Sequence, residues 1–89
     1  MNYSKKVIDK YAVGRYCEIE YCTEYGWTGK KTGWIVPNDP AMFKSMSRYK
    51  YALLEPNDGF FAFNVKELKS VTLKSNGYTL PKTMKGIEK

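Results

Sequence analysis

The chain has 89 residues, of which 43% are hydrophobic and 16% aromatic, so it holds enough apolar material for one small folded domain. It contains no histidine, which removes the commonest general base and metal ligand, so neither an enzyme nor a metal or cofactor is expected. The formal charge is +6 at pH 7. Such a charge indicates either an anionic partner or a lysine-rich solvated surface.

The first predicted element is a short N-terminal helix within residues 1–14. Tyr3, Val7, Ile8 and Tyr11 recur at helical spacing. Gly14 then supplies a stop, because glycine readily adopts the left-handed conformation that ends a helix. No segment approaches the length of a membrane span, and no membrane partner is expected.

A first strand is predicted at residues 15–22, where the apolar Cys17, Ile19 and Tyr21 alternate with polar positions. Cys17 and Cys22 would lie roughly 16 Å apart along that strand, which is too far for a disulfide bond. Two reduced thiols agree with a cytoplasmic location.

Residues 23–33 contain three glycines and are predicted to form a long, curled hairpin loop. Trp27 in this loop either folds back as a small local core or stays available for a ligand. A second strand follows at residues 34–36 and stops at Pro37. Trp34 within it is expected to be core or the wall of a groove.

The second half of the chain predicts three more strands. Residues 49–54 form the third, and a tight turn at residues 56–59 leads into the fourth at residues 60–63. Residues 70–74 form the fifth strand, with residues 75–89 as a basic tail that is ordered only where it docks.

One helical turn is predicted immediately before the fifth strand. Asn64 and Glu67 have the spacing of a capping box, with asparagine in the place of the usual serine or threonine. The expected fold is therefore mainly β, with five strands, the N-terminal helix and this one helical turn.

This order of elements, with a long first loop and a helical turn before the last strand, resembles the SH3-like small barrel over residues 15–74. Residues 49–73 also resemble the second half of WYL domains, with Tyr51, Ala52 and Leu53 as the triplet. Residues 60–63 lack the arginines that serve ligand binding in that family, so this resemblance supports the fold and says little about a ligand. Sm-like barrels share the topology. In composition the chain is similar to small accessory proteins of bacteriophages.

The first functional hypothesis is binding of RNA, single-stranded DNA or a nucleotide-like anion. Exposed aromatic rings can stack on bases, and neighbouring cations can contact phosphates. The residues with this combination are Tyr25, Trp27, Lys30, Lys31, Arg48, Tyr49 and Lys50.

The alternative hypothesis is a protein-binding module, such as a phage-type inhibitor or adaptor that occupies a host protein. Tryptophan, tyrosine and arginine dominate protein hot spots, and methionine repacks readily against a partner. The contact residues in this case are Trp27, Met42, Phe43, Met46 and Tyr49. Met42, Phe43 and Met46 could instead cap the open end of a barrel. The sequence permits either a monomer or a homodimer.

Overall fold

The computed structural model describes residues 2–38 and 48–86. Within them the chain forms five antiparallel strands in one open sheet and one short helical segment. The predicted mainly β class is therefore confirmed. The SH3-like barrel is not confirmed, because the sheet is not closed.

The N-terminal helix, α1, spans Lys5–Val7 and continues as a π-helical segment, Ile8–Ala12. The Ser4 side chain caps its start by accepting the backbone N–H of Lys6 at 3.2 Å. At its other end, the N–H of Val13 donates to the carbonyl of Ile8, five residues back. No helix in the described part of the chain is both long and apolar enough to cross a membrane.

The strands follow the predicted order, with some different boundaries. They are β1 (Tyr16–Cys22), β2 (Thr28–Pro37), β3 (Tyr51–Leu54), β4 (Phe60–Phe63) and β5 (Leu68–Leu73). A 3₁₀ turn, Val65–Glu67, precedes β5 as predicted. The strand order in the sheet is β4-β3-β2-β1-β5, which leaves β4 and β5 at its edges.

The predicted long loop at residues 23–33 is wrong in its second half. β2 begins at Thr28 and pairs with β1 in register from Cys22 opposite Thr28 to Tyr16 opposite Trp34. Gly29 and Gly33 are strand residues that share the inward face of β2 with Ile35, rather than loop residues.

These two glycines allow close approaches within the sheet. A Cβ atom on Gly33 would lie 2.2 Å from the backbone oxygen of Leu54, and one on Gly29 would lie 2.6 Å from the Tyr21 hydroxyl. Glycine in a strand commonly marks such a bend or close approach. The sheet curls far enough that the Tyr21 ring of β1 reaches the Phe61 ring of β4, with a centroid distance of 4.5 Å.

The core lies on the inward face of this curled sheet. Its fully buried members come from all five strands and from the helix, and the largest are Phe63, Ile8, Ile19, Ile35, Leu53 and Leu68. Burying one such side chain contributes about 1.5–3 kcal/mol.

The two ends of the described chain pack against one another. The Tyr3 hydroxyl donates to the carbonyl of Leu80 at 2.8 Å and accepts the N–H of Val71 at 3.0 Å. The N–H of Ser4 donates to the carbonyl of Lys82 at 2.7 Å. Leu80 is buried, so residues 80–82 are held beside the helix.

Candidate binding surface at the hairpin tip

The β1–β2 hairpin ends in a tight turn that carries two exposed aromatic rings. The backbone N–H of Thr23 donates to the carbonyl of Trp27 at 2.7 Å, and the Thr23 hydroxyl accepts the N–H of Trp27 at 3.1 Å. Gly26 lies between them with φ +87°, a conformation that favours glycine. Tyr25 and Trp27 are 73% and 74% exposed, so Trp27 does not form a local core.

Arg48 joins the hairpin turn to the segment that leads into β3. Its guanidinium forms an ion pair with Glu24 at 3.0 Å and donates to the Tyr49 hydroxyl at 2.5 Å. It also lies 4.7 Å from the centroid of the Tyr49 ring. Hydrogen bonds to Tyr49 and then to Tyr25 raise the pKa of Arg48 above its ordinary value. We call Tyr25, Trp27, Arg48 and Tyr49 the tip surface.

Two asparagines fix the backbone behind Arg48. The Asn64 side chain accepts the N–H of Lys50 at 2.9 Å and donates to the carbonyl of Arg48 at 3.1 Å. The Asn38 side chain donates to the carbonyl of Tyr49 at 2.8 Å. The sequence gives no signal for either contact, since each joins residues more than ten positions apart.

The predicted basic residues of β2 lie on opposite faces of the strand. Lys31 shares the inward face, where it pairs with Glu55 at 3.5 Å and lies 5.6 Å from the centroid of the Phe61 ring. Lys30 is exposed on the outward face, and its register partner on β1 is Glu20. The structure thus separates the two lysines that the sequence treats as one pair.

Two of the four predicted cations of the nucleic-acid site form ion pairs with carboxylates. Arg48 is paired with Glu24, and Lys31 with Glu55. Lys50 is exposed, and among the described residues no ion pair involves it.

A row of apolar side chains crosses the outward face of the sheet and was not predicted as a site. Tyr16 pairs with Trp34, Trp34 with Leu54, and Leu54 with Phe60, so the row spans four strands. Trp34, Leu54 and Phe60 are 42%, 38% and 41% exposed. An open cleft of about 530 Å³ runs along the last three residues. Trp34 is thus a groove wall, which was one of its two predicted positions.

Met42, Phe43 and Met46, the remaining predicted contact residues, lie outside the described residues. Both cysteines are free, and burial raises the pKa of the Cys17 thiol to about 11, so this thiol is a poor nucleophile at neutral pH. In residues 2–38 and 48–86, no group of three or more acidic or cysteine side chains is arranged to hold a metal ion.

No protein-family model, no curated protein and no solved structure matches the chain. The geometry of the described residues is therefore the basis for any assignment of function.

Proposed function

We propose that the protein is a non-catalytic module that binds a partner protein through the tip surface. The observation that carries this proposal is the exposure of Tyr25 and Trp27, at 73% and 74%, beside an arginine held in place by Tyr49 and Glu24. Large aromatic rings presented to solvent beside arginine are typical of the anchors of protein interfaces.

The hydrogen bonds that hold the backbone of the tip surface support the same proposal. The hairpin turn is closed by three hydrogen bonds among Thr23, Gly26 and Trp27, and the Arg48 backbone is held by Asn64. A surface that is already ordered loses less conformational entropy when it binds. The partner that fits this surface offers an apolar pocket for the Trp27 ring and leaves the Arg48–Glu24 ion pair in place.

Nucleic-acid binding by the predicted residues is the competing proposal. The ion pairs of Arg48 and Lys31 count against it, because a phosphate would have to displace Glu24 and Glu55. A protein partner needs no such net positive charge. The absence of histidine supports a non-catalytic role, and the two free thiols support a cytoplasmic location.

The proposal extends to the fold. The strand order β4-β3-β2-β1-β5, together with the contact between the first and fourth strands, supports an opened form of an SH3-like barrel. The hairpin tip and the β2–β3 connection leave opposite ends of β2, so the Arg48–Glu24 ion pair between them requires the long β1–β2 hairpin to curl over. A phage-type inhibitor or adaptor is one form that such a module would take.

Affinity capture of the tagged full chain from a bacterial lysate tests the proposal, with and without nuclease and at low and moderate salt. The informative variant is Tyr25→Ala/Trp27→Ala. Its matched control is Tyr78→Ala, which removes another exposed aromatic side chain, 47% exposed, from the turn after β5. Wild type and the control should retain one stoichiometric protein band that survives nuclease and salt, and the double variant should lose it.

Two results would overturn this assignment. The first is a protein band that persists unchanged in Tyr25→Ala/Trp27→Ala. The second is a nucleic-acid component that elutes at low salt, disappears at moderate salt and accounts for all captured material. The second result would instead support nucleic-acid binding.

A further inference from the structure

A second open cleft lies between the two ends of the described chain and contains none of the residues of the tip surface. It has a volume of about 900 Å³ and separates the N-terminal helix from the C-terminal segment, Met84–Gly86. The lining side chains are Ser4, Lys6, Asp9, Lys10, Thr83, Met84 and Lys85. Its size falls in the range of small-molecule sites, roughly 300–1,000 Å³.

This cleft exists because the two ends of the chain are fastened together. The Tyr3 hydroxyl bridges Leu80 and Val71, and the backbone N–H of Ser4 donates to Lys82. The Lys82 ammonium also lies 5.0 Å from the centroid of the Tyr3 ring. Lysines from opposite ends of the sequence therefore face one shared cleft.

The charged side chains that line the cleft are mostly positive. Lys6, Lys10 and Lys85 line it, and no ion pair within residues 2–38 and 48–86 involves any of them. The only acidic side chain among the lining residues is Asp9. Its carboxylate already pairs with Lys5 at 3.0 Å and accepts the Tyr51 hydroxyl at 2.5 Å. Asp9 is thus engaged by Lys5 and Tyr51, and none of the three lysines forms an ion pair with another described residue.

Three lysines that line a cleft of this size suit a ligand that carries phosphoryl groups, which lysine binds as a point charge. The Lys10 ammonium lies 5.5 Å from the centroid of the Tyr11 ring. Met84 is an apolar residue among those that line the cleft. We infer that this cleft binds a phosphate-bearing ligand of about nucleotide size, held by Lys6, Lys10 and Lys85. The phosphoryl groups could come from a free nucleotide or from the backbone of a single-stranded nucleic acid.

This inference is independent of the proposed protein interface, because it uses none of the tip residues. It also moves the anion site away from the predicted cations Lys30, Lys31, Arg48 and Lys50. The sequence predicts a helix within residues 1–14, which includes Lys6 and Lys10, and a basic tail at residues 75–89, which includes Lys85, so it gave no reason to combine these lysines.

The test is a titration of the full chain with ATP, with inorganic tripolyphosphate and with a single-stranded oligonucleotide. Calorimetry measures the affinity, and amide chemical shifts locate the site. The variant is Lys6→Gln/Lys10→Gln/Lys85→Gln. The matched control is Lys66→Gln/Lys69→Gln/Lys74→Gln, which removes the same charge from three exposed lysines elsewhere. Thermal melting of both variants establishes that each is folded.

We expect the cleft variant to lose about tenfold or more in affinity, and the control to stay within about threefold of wild type. The shifts that change on titration should belong to Lys6, Lys10, Thr83 and Lys85. Binding of ATP and tripolyphosphate identifies a free phosphorylated ligand, whereas binding of the oligonucleotide alone identifies a nucleic-acid backbone.

Three results would overturn the inference. One is that no probe binds wild type at millimolar concentration. Another is an equal loss of affinity in the two triple variants, which indicates a general effect of net charge. The third is a set of shift changes confined to the tip surface.

Discussion

The Tyr21 ring of β1 and the Phe61 ring of β4 lie 4.5 Å apart, although two other strands separate β1 from β4 in the sheet. Such a contact is impossible in a flat sheet, in which neighbouring strands are about 4.8 Å apart. The aromatic series continues from Phe61 to Phe63 at 6.1 Å and from Phe63 to Tyr51 at 5.8 Å. This series lines the hollow of the curled sheet and stabilises its shape.

Tyr21 and Phe61 should be energetically coupled. We expect the free energies of unfolding of Tyr21→Ala, Phe61→Ala and the double variant to give a coupling of about 0.5–1.5 kcal/mol. Urea denaturation measures all three. Pairing Phe61→Ala with Tyr78→Ala, in an exposed turn, is the control and should give additive losses. Additive losses for Tyr21 and Phe61 would show that their contact does not hold the curl.

Replacement of Gly33 should destabilise the protein more than replacement of Gly29. In Gly33→Ala the new methyl group meets the Leu54 backbone oxygen at 2.2 Å, and a paired strand cannot easily move. In Gly29→Ala it meets the Tyr21 hydroxyl at 2.6 Å, the far end of a side chain that can shift. Thermal or urea unfolding should show a loss of about 2–3 kcal/mol for Gly33→Ala and about 1 kcal/mol for Gly29→Ala. Equal losses would contradict this explanation of the close approach.

Tyr51→Phe should alter how stability depends on pH. The hydrogen bond from Tyr51 is the main cause that lowers the pKa of Asp9. Because the pKa of Asp9 is lower in the folded state than in the unfolded state, Asp9 stabilises the folded protein above about pH 4. This stabilisation is lost as the pH falls further. Burial raises the pKa of Tyr51, and so, to a lesser extent, does Asp9. Tyr51 therefore stabilises the folded protein below about pH 10, and this stabilisation is lost as the pH rises.

The variant should therefore be less stable than wild type at pH 7 by about 1 kcal/mol, the usual value of one hydrogen bond. This difference should shrink towards pH 3 and above pH 10, as measured by urea unfolding across the range. Tyr78→Phe, in an exposed position, is the control and should follow the wild-type curve. A constant difference between Tyr51→Phe and wild type at every pH would rule out this linkage.

Asn64 should act as a positioning residue for the tip surface. Asn64→Ala removes both the acceptor for the N–H of Lys50 and the donor to the carbonyl of Arg48. We expect a loss of about 1 kcal/mol in stability and faster hydrogen exchange at the Lys50 amide. Asn64→Asp keeps the acceptor and should preserve the protection of Lys50. Unchanged exchange in Asn64→Ala would show that the side chain does not hold this segment.

Local features of the chain were predictable because they depend on neighbouring residues. The alternation of Cys17 and Ile19 with glutamates predicts β1, and the spacing of Asn64 and Glu67 predicts the 3₁₀ turn, in which the N–H of Asn64 donates to the Glu67 carboxylate at 3.0 Å. The extent of β2 was not predicted, because Gly29 and Gly33 are as typical of a loop as of a bent strand.

The sequence alone determined the class of the fold, the order of its strands along the chain and the residue types available for binding. Only the tertiary structure decided that Lys31 turns inward to Glu55, that Arg48 reaches Glu24, and that Lys85 lies across a cleft from Lys6 and Lys10. The physical reason is the distance along the chain over which each effect acts. Hydrophobic periodicity and turn chemistry involve residues a few positions apart. The pairing of charges depends instead on the register and curl of the sheet and on the packing of the chain ends.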